Sequence, residues 1–242
     1  MNIPKKCYGK ISTCFTAFLI TLSLCSSARA TEVLLLAGSE GGNGKSYNYY
    51  NYAGIVAPLF SSQLGSGFVQ KYWVDVLGYD YPSGNRTIDA SAVGAEAAFG
   101  YQQAWNNGWA NAFVGGRYSN TWLSPDNPDS KVRGSQIRVK LQAEVDQIVF
   151  DDWKFNAIGS YILESDSYWA RVRAMRRIHK ELFTGPELVS MGDPDYRAWQ
   201  FGWVLTGFEV FPKGYLGFKA GARTTEHADS GWYGGIEFSK LF

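Results

Sequence analysis

The stretch 136–145, QIRVKLQAEV, decides the fold class. Gln136, Arg138, Lys140, Gln142 and Glu144 take one side of a period-two pattern, and Ile137, Val139, Leu141, Ala143 and Val145 take the other. Such alternation is a β-strand with one charged and one apolar face. Its length matches the ~9–11 residues that carry a tilted strand across a bilayer.

The pattern recurs in both directions along the chain. Val93, Ala95, Ala97, Phe99 and Tyr101 oppose Gly94, Glu96, Gly100 and Gln102. Phe155, Ala157, Gly159, Tyr161 and Leu163 oppose Lys154, Asn156, Ser160 and Glu164, and Tyr168, Ala170, Val172 and Ala174 oppose Arg171 and Arg173. Leu216, Phe218, Ala220 and Ala222 oppose Lys219 and Arg223. Segments rich in Gly, Pro, Asn, Asp and Ser separate these runs: GGNGK after Glu40, SSQLGSG after Phe60, PSGNR after Tyr81, LSPDNPDSK after Trp122, GDPD after Met191 and EHADS after Thr225. With WNNG, FDD, SDS, HKE and PKG they delimit about twelve strands from Glu32 onward. The expectation is an all-β fold, a closed antiparallel up-and-down transmembrane β-barrel of residues 31–242. An apolar belt would face lipid around a polar interior. A secreted soluble sandwich shows the same alternation with its polar face outward, and is the main alternative.

An even strand count returns both ends to one rim, and the short WNN, FDD, HK and PK connections predict that this rim is periplasmic. Trp232, Ile236, Phe238 and Phe242 share a face of the last strand, so Phe242 is read as an assembly signal for the barrel-assembly machinery. Lys240 breaks that face, but near a rim it can snorkel.

Residues 1–30 read as a cleaved export signal. Lys5, Lys6 and Lys10 precede the apolar core 13–24 (TCFTAFLITLSL), and Ala28-Arg29-Ala30 forms an A-x-A site. A membrane anchor would need ~20 apolar residues. Cys25 follows Leu24 rather than the small residue that precedes a lipid-modified cysteine. Cleavage would remove Cys7, Cys14 and Cys25 and shift the balance from 23 basic against 22 acidic residues to 19 against 22. That slight excess of acid offers no basic footprint, so nucleic acid is excluded as a partner. Aromatic residues make up 16% of the chain, yet no later segment approaches 18 consecutive apolar residues, which excludes helical spans.

No catalytic motif, cofactor loop or metal signature stands out. His179 and His227 fall at turns, where a hydrolase would have to pair one with a serine such as Ser167 or Ser230. Residues 124–129 (SPDNPD) offer calcium-like donors without EF-hand spacing, and two prolines describe a rigid turn equally well. Asn85-Arg86-Thr87 has the form of a glycosylation sequon and is an ordinary turn in a bacterial chain. The interior charges are the functional candidates: Glu96, Arg117, Arg138, Lys140, Glu144, Arg171, Arg173, Glu187, Lys219, Arg223 and Glu237. They would form either a neutralising network that fills the lumen or a polar path through it. Trp73, Trp109, Trp199 and Trp203 would be sugar-stacking surfaces, belt anchors or packing residues.

Residues 124–146 (SPDNPDSKVRGSQIRVKLQAEVD), Tyr168-Trp169-Ala170-Arg171-Val172-Arg173 and Gly185-Pro186-Glu187 resemble the cellulose biosynthesis protein BcsS family. Residues 54–58, 94–101 and 115–118 fit the same order, and the similarity runs with gaps over roughly residues 35–240. The resemblance implies a small exported protein associated with bacterial cellulose synthesis, and it brings no catalytic residues. The expected function is therefore a non-enzymatic outer-membrane barrel that assists cellulose or exopolysaccharide biosynthesis, export or anchoring. Its partners would be outer-membrane lipid, the assembly machinery, and cellulose or its secretion components. A porin-like channel for small solutes or oligosaccharides is the alternative, and a hydrolase is third.

Overall fold

The computed structural model describes residues 32–43, 48–60, 62–226 and 228–242. The expected signal segment with its three cysteines, residues 44–47 (which include the end of the expected GGNGK turn), Ser61 of the expected second turn, and His227 lie outside the described residues.

The alternating segments form twelve strands: β1 (Leu34–Asn43), β2 (Asn48–Pro58), β3 (Ser66–Ser83), β4 (Arg86–Trp105), β5 (Gly108–Ser124), β6 (Gly134–Val149), β7 (Trp153–Ile162), β8 (Ser167–His179), β9 (Leu182–Gly192), β10 (Arg197–Phe211), β11 (Gly214–Thr225) and β12 (Ala228–Leu241). Each pairs antiparallel with its sequence neighbour, and β1 pairs with β12 from Leu34↔Leu241 to Asn43↔Trp232. Closure removes the free sheet edges that an apolar-surfaced sheet could not leave unpaired in lipid.

The faces are sorted as lipid exposure requires. Ile137 is 78% exposed on the outside of β6 and Phe201 65% on β10, whereas Lys71 is 3% exposed and Glu187 1%. A soluble sandwich would reverse this arrangement, because so large an exposed apolar surface is not tolerated in water. Aromatic residues gather at two outer levels. Trp153, Phe155, Phe208, Phe211, Phe218 and Phe238 lie toward the rim that carries both ends of the barrel. Tyr118, Trp122, Tyr161, Trp199 and Trp232 lie toward the other rim, here the loop rim. Two such girdles mark the interfaces of an outer-membrane barrel. Lys240 lies outside the ideal pattern, with its ammonium 4.5 Å from the Phe242 ring centroid and 5.4 Å from that of Phe211.

The wall is uneven. β3 and β4 span 18 and 20 residues, against 10 for β1 and β7. The tall β3–β5 side therefore rises above the low β7 side at the loop rim. The connection lengths alternate less cleanly than the short turns suggest. Residues 59–65, on the terminal rim, form one of the longer connections, and its Leu64 packs against the inner cluster of Val56, Val69 and Phe113. On the loop rim β3 and β4 join through two residues, where Gly84 takes a left-handed φ of 58° that suits the strand twist.

The expected polar interior is densest at mid-height and is interrupted by apolar clusters toward both rims. Toward the terminal rim the inner face is apolar, with Val56, Val69 and Phe113 on one side and Met175, Phe183 and Val204 on another. Toward the loop rim lie Tyr81, Ile88 and Ala90, with Tyr79, Leu123 and Tyr196 packed on them. Charges are densest where opposite signs can meet across a narrow lumen, and the ends mix apolar clusters with polar groups such as the Lys154–Asp146 pair on the terminal side and Arg223 on the loop side.

Candidate functional site: a charged layer and a closed mouth

Period-two geometry aims alternate side chains of every strand inward, and the ladders place them at matching heights. Two carboxylates organise the middle layer. Glu96 on β4 accepts Lys71 of β3 at 2.8 Å and Lys140 of β6 at 2.7 Å, and Lys71 also donates to Gln142. Glu237 on β12 accepts two bonds from Arg173 of β8 at 2.8 and 2.9 Å, and lies 3.3 Å from Arg171 and 3.5 Å from Lys219.

These centres are tied into a wider network. Arg173 also engages Glu187 of β9, whose other oxygen accepts Tyr233 OH at 3.1 Å. Lys219 reaches Glu40 of β1 at 2.6 Å, and the Gln200 amide donates to the same carboxylate. Asn156 of β7 donates to Glu144 at 3.0 Å and accepts Arg171 at 3.0 Å. Arg117 of β5 forms a bidentate pair with Asp75 of β3 at 2.6 and 2.8 Å. Several links join strands that are not neighbours, so they cross the lumen rather than line it.

Of the sequence candidates, Glu96 meets Lys140, and Arg171, Arg173, Glu187, Lys219 and Glu237 form a second group that Glu144 joins through Asn156, while Arg117 pairs with Asp75. Arg138 and Arg223 stand apart near the loop rim. Arg138 donates to the Lys131 carbonyl at 2.8 Å, and Arg223 donates to Tyr196 OH. Phe242 sits exposed at the terminal rim and exchanges backbone bonds with Val33.

Sequence reasoning missed Glu40, Lys71, Asp75, Asn156, Gln200 and Tyr233. Inward glycines carried a usable signal. A Cβ on Gly94 would lie 2.4 Å from an Arg117 nitrogen and 2.8 Å from Asp75, and one on Gly202 would lie 2.3 Å from Tyr233 OH. Glycine at these positions leaves the volume that the facing polar side chain fills.

The other expectations sort by position. Trp73 lies on the inner face, stacked on Tyr52 at 4.6 Å, and Trp109 shares the inner face opposite Asp146. Trp199 and Trp203 face outward, where they cannot meet a sugar in the lumen. His179 and Ser167 occupy opposite ends of β8 and cannot form a catalytic pair. In the 125–133 loop, Arg133 grips Asp126 at 2.6 and 2.7 Å and holds its carboxyl below the usual carboxylate range.

The mouth at the loop rim is bridged. Tyr79 of β3 packs at a 45° tilt against Tyr196, 4.8 Å away across the barrel, and donates to Asp193 at 3.3 Å. Asn127 donates to Tyr81 OH at 3.2 Å, and Ser130 donates to Asp195 at 2.6 Å. Burial pushes the carboxyl of Asp193 up, although it accepts the backbone N–H groups of Asp195 and Tyr196. A shallow depression of about 550 Å³ floored by Ala143, Ala157, Gly159 and Ala170 lies on the lipid-facing wall, outside this interior.

Among solved structures, the chain is similar to an outer membrane channel from Pseudomonas putida F1, at 13% identity and a TM-score of 0.54, covering 89% of this chain and 97% of that one. It is also similar to the transport unit of the autotransporter AIDA-I from Escherichia coli, at 9% identity and a TM-score of 0.50, covering 96% and 98%. At these identities the likeness concerns the fold alone, which is that of outer-membrane barrels. No curated protein matches the chain. The family profile of cellulose biosynthesis protein BcsS matches residues 40–242, spanning the charged layer and the bridged mouth, and the chain belongs to that family.

Proposed function

We propose that residues 31–242, freed from the signal segment, act as a non-enzymatic outer-membrane barrel that anchors or organises cellulose at the cell surface, with the terminal rim facing the periplasm. Membership of a cellulose biosynthesis family supports the pathway. The observation that carries the choice of a closed element over an open conduit is the set of ion pairs crossing the lumen. Arg171 and Arg173 of β8 converge on Glu237 of β12, and Lys219 and Gln200 converge on Glu40. Separating such buried pairs to admit a chain would expose uncompensated charge, which is costly. A barrel in the outer membrane also has no access to a cytoplasmic sugar nucleotide, so its action falls on the finished polymer.

Two measurements test the reading. Deletion should leave the synthase able to polymerise glucose while extracellular cellulose loses amount or organisation. The purified barrel in planar bilayers should show no steady conductance. Sustained ion flow through the native protein would favour the channel alternative. Unaltered extracellular cellulose in the deletion strain would remove the pathway assignment.

A further inference from the structure

The bridged mouth covers groups that have no partner. Gln200 Oε1, Arg223 Nε and Thr225 Oγ1 are buried and make no hydrogen bond. Gln200 is 1% exposed, Arg223 8% and Thr225 9%. They are neighbours in the ladder, since Gln200 pairs with Arg223 and Thr225 pairs with Ala198. Buried polar atoms are almost always satisfied, and three orphans on adjacent strands mark a place where a partner belongs. Directly at the same rim lies loop 193–196, whose Tyr196 accepts Arg223 and packs on Tyr79. The loop is held from the far wall by Tyr79 on Asp193 and by Ser130 on Asp195.

We propose that loop 193–196 is a lid over a binding subsite formed by Gln200, Arg223 and Thr225, and that its ligand is the hydroxyl-bearing face of a neutral glycan. The three orphan atoms select that chemistry. Gln200 Oε1 can only accept, Arg223 Nε can only donate, and Thr225 Oγ1 does both. A sugar hydroxyl donates and accepts, so a short run of them satisfies all three. An anion would suit Arg223 and be repelled by the amide oxygen, and a hydrocarbon would satisfy none. Opening the lid would also part Tyr79 from Tyr196 and free aromatic faces of the kind that stack on sugar rings. The closed state leaves these polar atoms unsatisfied, so it is held by the latch contacts against a standing penalty that the ligand relieves.

The choice of a β-glucan as ligand rests on the proposed cellulose role, whereas the subsite itself does not. The test is calorimetric titration of cellohexaose into the detergent-folded protein, with hexagalacturonate as the anionic comparison. Cellohexaose should bind, and Thr225→Val and Gln200→Leu should each weaken it roughly two- to tenfold. Tyr79→Phe removes a latch bond and should tighten binding by raising the open population. Absence of cellohexaose binding to folded wild type and to Tyr79→Phe would overturn the proposal, as would preferred binding of the anion. Unchanged affinity in Thr225→Val would do the same, and that variant decides alone if Gln200→Leu, which also touches Glu40, does not fold. A protein that binds no glycan while its deletion still disturbs extracellular cellulose loses the subsite and keeps the proposed function.

Discussion

Glu237→Gln tests whether the charged layer holds the barrel together. The substitution preserves shape but removes the anion shared by Arg173, Arg171 and Lys219, at 2.8, 3.3 and 3.5 Å. Each contact alone represents about 5–6 kcal/mol of gross attraction at an effective dielectric of about 20. The net effect is much smaller than their sum, because Arg173 keeps Glu187, Arg171 keeps Asn156 and Lys219 keeps Glu40. Removing one member of a buried network costs about 3–5 kcal/mol. The lower end applies here, since the Glu237 side chain retains 18% exposure. Urea unfolding in detergent micelles, followed by tryptophan fluorescence, should show a loss of about 3 kcal/mol. The exposed Glu32–Lys213 pair, 3.0 Å apart, supplies the control, and Glu32→Gln should cost under about 1 kcal/mol. If both variants unfolded with the same free energy as wild type, the crossing ion pairs would be ornaments of a barrel stabilised by its ladders alone.

Two further variants test the faces and the terminus. Val139→Arg puts a charge on the lipid side of β6 and should cost about 2–4 kcal/mol, against about 1–2 kcal/mol for Lys140→Gln, whose partner Glu96 keeps Lys71. Equal or reversed losses in the same unfolding assay would refute the register. Removing Phe242 should reduce the heat-modifiable barrel recovered from outer membranes while leaving refolding in detergent intact, because its side chain is exposed and contributes little packing. Equal recovery from cells would dismiss it as an assembly signal.

The sequence alone determined the fold class, a count of about twelve strands and the face to which most side chains point. That is because a strand's period is local: QIRVKLQAEV sorts itself into two faces without reference to any other residue. The turns among the described residues were readable for the same reason, since Gly, Pro, Asn and Asp act on their own backbone. It also sufficed to place Glu96, Arg171, Arg173 and Glu237 indoors. It did not determine which charge meets which. Arg171 and Glu237 are 66 positions apart and become partners only because closure brings β8 opposite β12. Asp75 sits in the apolar run YWVDV and Glu40 in the glycine-rich GSEGG, where neither stands out by period. Their roles emerge from the stagger of the ladders. Closure also decided the zoning of the interior and the bridging of the mouth, where Tyr79 and Tyr196 meet from opposite walls. Alternation specifies inside and outside, but height along the barrel and contact across it depend on the register of twelve strands at once.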